Sequence, residues 1–112
     1  MISKCHIAAN SIAGQDVFGP VLSVMRFNQG DEAIAIANNT DYGLVAGAFT
    51  KDLDRATRAA TGLWTGQVFI NEWYAGGVKA PFGGYGKSGY GGEKGREALW
   101  NYVQTKNIAI KR

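Results

Sequence analysis

Residues 44–70, LVAGAFTKDLDRATRAATGLWTGQVFI, decide the fold. The stretch from Leu44 through Val45, Ala46, Gly47, Ala48 and Phe49 to Thr50 is apolar and rich in small side chains. Lys51 and Asp52 close it. That pattern predicts a strand inside a sheet, pressed close to a covering helix. Asp52 or Thr50 can cap the helix that follows. Leu53, Ala56, Ala59, Ala60 and Leu63 form its buried stripe, Asp54 and Arg58 pair at i, i+4 on the wet face, and Gly62 stops it. Gln67, Val68, Phe69 and Ile70 make the next strand, running into Asn71, Glu72, Trp73 and Tyr74.

Upstream, Pro20 precedes the mostly apolar run Val21, Leu22, Ser23, Val24, Met25, Arg26 and Phe27, which ends at the turn signals Asn28, Gln29 and Gly30. Asp31 caps a short helix with Ala33, Ile34, Ile36 and Ala37 on one side, broken by Asn38, Asn39, Thr40, Asp41 and Gly43. The order is therefore βαβαβ, an α/β arrangement with a parallel sheet and right-handed crossovers. Downstream, residues 75–95 carry many glycines with Pro81, Phe82, Tyr85, Lys87, Ser88 and Tyr90 among them. The rings argue for a functional loop rather than a flexible spacer, because aromatic side chains bury against something. Residues 93–103 suit a helix, and residues 105–112, through Asn107, Ile108, Ala109 and Ile110, a last strand. There is no internal repeat.

Composition narrows the class. The chain has 112 residues, 46% hydrophobic and 19% charged, which is an ordinary globular balance and excludes disorder and collagen-like or coiled-coil architectures. A chain of this size buries only roughly 60 to 70% of its unfolded surface, so stability is expected to be modest. No apolar run reaches the roughly 18 residues that span a bilayer, and residues 1–14 lack a signal-type hydrophobic stretch, so a cytoplasmic location and no membrane partner are expected. The single cysteine, Cys5, excludes an internal disulfide. Beside the lone His6 it gives neither metal-ligand spacing nor a supported nucleophile. The net charge of +3 is spread among acidic residues, which gives no basic face for nucleic acid.

Two phosphate motifs are imitated. Gly84, Gly86 and Gly89 fit G-x-G-x-x-G, but no strand directly precedes them and Ala109 stands near the acidic position the fingerprint requires. Gly86, Lys87 and Ser88 resemble the end of a P-loop whose leading glycine is replaced by Pro81. The glycines also suit positive φ and close backbone packing. One histidine cannot complete a Ser-His-Asp set, and the carboxylates at Asp31, Glu32, Asp52 and Asp54 read as caps and solvated helix faces.

Three ordered blocks carry a resemblance: Asp16, Val17, Phe18, Gly19, Pro20 and Val21; Asn38, Asn39, Thr40, Asp41, Tyr42, Gly43 and Leu44; and Ala80, Pro81, Phe82, Gly83, Gly84 and Tyr85 with Lys87, Ser88 and Gly89. Ala48, Phe49, Thr50, Lys51 and Asp52, then Gly66, Gln67, Val68, Phe69, Ile70 and Asn71, agree between them. Over residues 12–111 the chain resembles the C-terminal part of NAD(P)-dependent aldehyde dehydrogenases.

The resemblance implies an incomplete piece of the catalytic domain, with a parallel βαβαβ core and a C-terminal helix over residues 15–104. It also implies an oligomerisation strand over 105–112, which joins a neighbouring subunit, and a poorly matching leader over 1–14. By position, Asp16 stands where the family has a glutamate that accepts hydrogen bonds from the nicotinamide ribose, one methylene shorter here, and Phe18 lies beside the nicotinamide ring of NAD or NADP. Phe82 matches an aromatic lining the aldehyde tunnel, and Trp73 and Tyr74 fall at the substrate entrance, favouring an apolar or aromatic aldehyde. Each has a structural alternative: Asp16 as a turn residue, and Phe18, Trp73, Tyr74 and Phe82 as core or interface rings. The family's thiolate cysteine, oxyanion-hole asparagine, glutamate base and cofactor domain all lie upstream of this stretch, so the chain alone is expected to be inactive, its partner being the remainder of the dehydrogenase or another subunit. The alternatives are a non-catalytic assembly module that pairs through its sheet edge, and a small nucleotide-binding domain built on residues 84–89.

Overall fold

The computed structural model describes residues 2–4 and 11–112; Cys5 and His6 lie outside them. The central unit contains the strand–helix–strand order that the opening stretch predicts. Strand β4 (Val45–Ala48) pairs in parallel with β5 (Gln67–Ile70), Val45 opposite Gln67 and Ala48 opposite Ile70, with helix α2 (Leu53–Gly62) between them. Asp52 occupies the N-cap of α2 with extended backbone, and its side chain accepts from Arg55 N at 3.0 Å, which satisfies one of the donors a helix leaves unpaired. That backbone N–H holds the Asp52 carboxyl below the usual carboxylate range. Ala56 on α2 and Phe69 on β5 are the buried hydrophobic residues among those described.

Helix α1 (Gly30–Asn38) packs against α2. Its N-cap position is Gln29, without a side-chain cap bond, so Asp31 is not the cap but a first-turn acid. There it and Glu32 complement the positive end of the helix. Glu32 reaches back to accept from Asn28 N at 2.7 Å. The expected Asp54–Arg58 pair is also replaced: Arg58 reaches across to Asp31 at 3.6 Å, and Arg55 pairs with Asp52 at 3.5 Å. Packing α1 beside α2 brings in a carboxylate that local spacing does not show. Asn38 then locks the helix pair, donating to Gly62 O and accepting from Trp64 N, both at 2.8 Å.

The sheet departs from a continuous three-stranded parallel βαβαβ core. Strand β2 (Leu22–Val24) is shorter than the apolar run and pairs in parallel with β1 (Ile2–Lys4), not with β4. Among the described residues β4 has β5 on one side only, so it is an edge strand rather than an internal one. A third pair is antiparallel, β3 (Tyr42–Gly43) with β6 (Tyr85–Gly86). The expected C-terminal helix is one 3-10 stretch, Glu97–Tyr102, with no buried residue. Among the described residues, residues 105–112 form no strand pairing, and they are exposed. An amphipathic helix and an edge strand are held by what they pack or pair against, and among the described residues neither stretch has that surface.

The chain does not close over a core. Its accessible surface is 9598 Å², against about 6000 Å² for a compact monomer of this mass, and its radius of gyration is 18.4 Å against about 13 Å. No helix among the described residues is long and apolar enough to cross a membrane.

Candidate functional site

The site is built where β5 ends. Asn71 takes a left-handed φ of 59°, donates from its backbone N to Ala48 O at 2.9 Å and accepts from Thr50 N at 2.8 Å. It closes the carboxyl end of the parallel pair, the end at which α/β folds place ligands. Beyond this turn Trp73 and Tyr74 fold back onto Phe69. Trp73 meets that ring edge-on at 5.8 Å between centroids, and Tyr74 meets it at 6.3 Å with its plane tilted by 48°. Gly47 in β4 leaves room for Trp73: a Cβ there would stand 3.1 Å from the indole.

The glycine-rich loop is tied to this frame rather than free. Gln67 donates to Pro81 O at 2.6 Å, and Phe82 exchanges two backbone hydrogen bonds with Glu93, at 2.8 and 2.7 Å. Gly66 abuts Gly83 so closely that a Cβ would lie 2.8 Å from the Gly83 carbonyl carbon and inside its oxygen. Lys94, at a φ of 58°, turns its ammonium over both Tyr74 and Phe82, 5.2 Å from each ring centroid, and donates to Tyr74 Oη at 3.2 Å. Phe82, Lys94 and Pro81 line a shallow cavity of about 260 Å³ together with Glu93 and Glu97.

Trp73, Tyr74 and Phe82 are thus joined through Phe69 and Lys94. Asp16 and Phe18 stand elsewhere, on the exposed stretch before β2, Phe18 with 96% of its surface accessible. Neither joins the aromatic group by any hydrogen bond or ring contact. Sequence reasoning missed Lys94. A lone lysine between Glu93 and Gly95 carries no local signal, and its ring partners lie 12 and 20 positions away in sequence.

The P-loop imitation is accounted for by structure. Lys87 donates to Asp41 Oδ2 at 2.6 Å and from its backbone N to Asp41 O at 2.7 Å, while Ser88 Oγ accepts from Gly43 N at 3.0 Å. Bonding to Asp41 raises the Lys87 pKa above its ordinary 10.5. A lysine and a serine held this way face a neighbouring turn, not a phosphate. The same bonds join residues 38–44 to residues 80–89, so two of the three blocks that carry the resemblance meet in space as the β3–β6 pair.

The profile of the aldehyde dehydrogenase family matches residues 6–108. The chain belongs to the aldehyde dehydrogenase family. It is 46% identical over 100 residues to the rat protein "aldehyde dehydrogenase, cytosolic 1", covering 89% of this chain and 20% of that one. Among solved aldehyde dehydrogenases, the Pseudomonas syringae indole-3-acetaldehyde dehydrogenase in complex with NAD+ and IAA superposes with a TM-score of 0.89 at 41% identity, over 99% of this chain and 22% of that one. A putative aldehyde dehydrogenase from Burkholderia cenocepacia gives 0.86 at 46% identity, over 92% of this chain and 21% of its own. This aldehyde dehydrogenase segment thus spans about a fifth of the length of these relatives.

Proposed function

We propose that this chain supplies the substrate-side wall and part of the nicotinamide-side wall of an enzyme that oxidises an aldehyde to a carboxylic acid with NAD or NADP as hydride acceptor. The observation that carries the proposal is the gathering of Trp73, Tyr74 and Phe82 around Phe69 and Lys94 at the carboxyl end of β5, in a chain of this family. A wall of that composition binds an apolar or aromatic aldehyde by its ring faces and keeps water from the reacting carbon.

The residues toward the cofactor suit it chemically. The Phe18 ring is accessible enough to lie against a flat nicotinamide, and the exposed Asp16 carboxylate is an acceptor for ribose hydroxyls, reaching less far than glutamate does. When bound, the nicotinamide takes the hydride from the aldehyde carbon. On this reading the chain's own residues bind and orient, and the nucleophile and base come from the rest of the enzyme. Division into a catalytic part over 15–104 and an assembly strand over 105–112 belongs to the same reading, as does a cytosolic location like the one in the rat relative's name.

Aldehyde-dependent NADH production tests it. The purified chain alone is expected to give none, and the chain mixed with the preceding portion of the rat relative is expected to give turnover. Activity in the chain alone would show that the nucleophile lies within these residues. Absence of turnover in a mixture that nonetheless associates would favour a second reading, a non-catalytic assembly module. That reading draws on the roughly 3600 Å² by which the surface exceeds that of a compact monomer, with Leu99, Trp100, Ile108 and Ile110 exposed. The nucleotide-binding reading of residues 84–89 is not favoured, since Lys87 and Ser88 are engaged by Asp41 and Gly43.

A further inference from the structure

We propose that Lys94 is a positioning residue that fixes the Tyr74 and Phe82 rings and so sets the preference for ring-bearing aldehydes; the inference rests on the reading of the aromatic wall as the substrate entrance. Three observations meet at this side chain. First, its ammonium lies 5.2 Å from both ring centroids and donates to the Tyr74 hydroxyl, which links an entrance residue to a tunnel residue through one atom. Secondly, among the described residues it forms no ion pair, although Glu93 and Glu97 line the same cavity. Lys94 is instead half-buried beside the two rings, where the aromatic quadrupole and the Tyr74 hydroxyl attract its ammonium.

Thirdly, the backbone spends conformational strain to put it there. Lys94 and Tyr74 both take left-handed φ values, 58° and 64°, which cost a residue with a Cβ and cluster where geometry serves function. The strain at Lys94 is held from both sides. Glu93 before it is bridged to Phe82, and Gly95 after it donates to Val78 O at 2.9 Å. The lysine stem therefore leaves a fixed point in a fixed direction. Without the ammonium, Tyr74 keeps only its tilted contact with Phe69, and the two rings that would hold a substrate ring no longer share a restraint.

Two readouts separate this from the activity it rests on. In the chain itself, the Lys94 ε-methylene protons are expected upfield of an exposed lysine under the ring currents, and Phe82→Leu removes part of that displacement. Signals at the position of a free lysine would overturn the clamp. In the chain complemented as above, Lys94→Met is expected to raise KM for phenylacetaldehyde roughly three- to tenfold relative to KM for propionaldehyde, with the loss in KM rather than kcat. Lys94→Arg, whose charge also stacks on rings, keeps most of the preference.

Because Lys94 acts through Tyr74, adding Tyr74→Phe to Lys94→Met costs little more than Lys94→Met alone, whereas additive losses would overturn the coupling. Near-UV circular dichroism confirms that each variant is folded. Should Lys94→Met fail that check, the Tyr74→Phe variant carries the kinetic test, with a smaller rise in the same ratio. Equal KM changes for both aldehydes would overturn the positioning role alone. No turnover from the parent mixture, with the upfield displacement intact, would overturn the aldehyde reading and the role of Lys94 in specificity with it.

Discussion

Replacing Gly66 by alanine should destabilise this region, and the structure says by how much. A Cβ at that position enters the Gly83 carbonyl and lies 3.4 Å from Leu44 O, so one of two backbones must move. Neither is free. Gly66 N donates to Gly43 O at 3.1 Å and Gln67 N to Leu44 O at 3.3 Å, while Phe82 beside Gly83 is held by two bonds to Glu93 and Pro81 by one from Gln67. Displacing either strand sacrifices two or so hydrogen bonds at about 1 kcal/mol each, on top of roughly 1 to 3 kcal/mol for overpacking. The expected cost is therefore about 3 kcal/mol or more, a large share of the stability of a chain this size. Urea unfolding followed by tryptophan fluorescence measures it as a lower midpoint at unchanged slope. Gly77→Ala is the control, since a Cβ there meets nothing within 4 Å, and it should stay within about 0.5 kcal/mol of the parent. Equal midpoints for Gly66→Ala and Gly77→Ala would refute the close approach of residues 66 and 83.

Two further outcomes follow from the same frame. The Lys87 pKa is raised by its hydrogen bond to Asp41, so the pair stabilises the β3–β6 junction fully below pH 10.5 and loses that contribution as pH rises through the higher folded value. Asp41→Asn should flatten the alkaline limb of a stability-against-pH curve, and an unchanged limb would show that the pair contributes nothing. Phe69→Ala removes the ring on which Trp73 and Tyr74 rest, at a cost of about 3 kcal/mol. The near-UV circular dichroism of this ring cluster should weaken at urea concentrations well below the unfolding transition, and an unchanged signal would place the rings on another support.

Local signals in the sequence were the legible ones. Asp52, Gly62 and the apolar runs around them mark α2, β4 and β5 because a cap, a stop and a buried strand are each written within a few residues. Spacing alone pairs Arg58 with Asp54, since both stand on one face of α2; its partner Asp31 comes from another helix and is brought in only by packing. Lys87 imitated a phosphate ligand for the same reason, since Asp41 lies 46 positions earlier. Of the site, the rings of Trp73, Tyr74 and Phe82 were legible as types at matched positions. The group that unites them was not, because Lys94 becomes informative only once the Phe82–Glu93 bridge brings it over Tyr74.

Three stretches share one physical feature. β4, residues 97–102 and residues 105–112 all carry apolar side chains in patterns that ask for a covering surface, and each was assigned the form it would take against one. The β4–α2–β5 unit persists because its hydrogen bonds and its buried residues, Ala56 and Phe69, are internal to it. The C-terminal residues have Leu99, Trp100, Val103, Ile108 and Ile110 exposed and no strand partner. Short elements gain too little from their own backbone bonds to offset the entropy of ordering, so a longer helix or a strand there needs a surface to pack or pair against. On the proposed assembly reading, contact with a partner and strand formation by residues 105–112 are one step, and a gain of strand structure there is the expected signal of association.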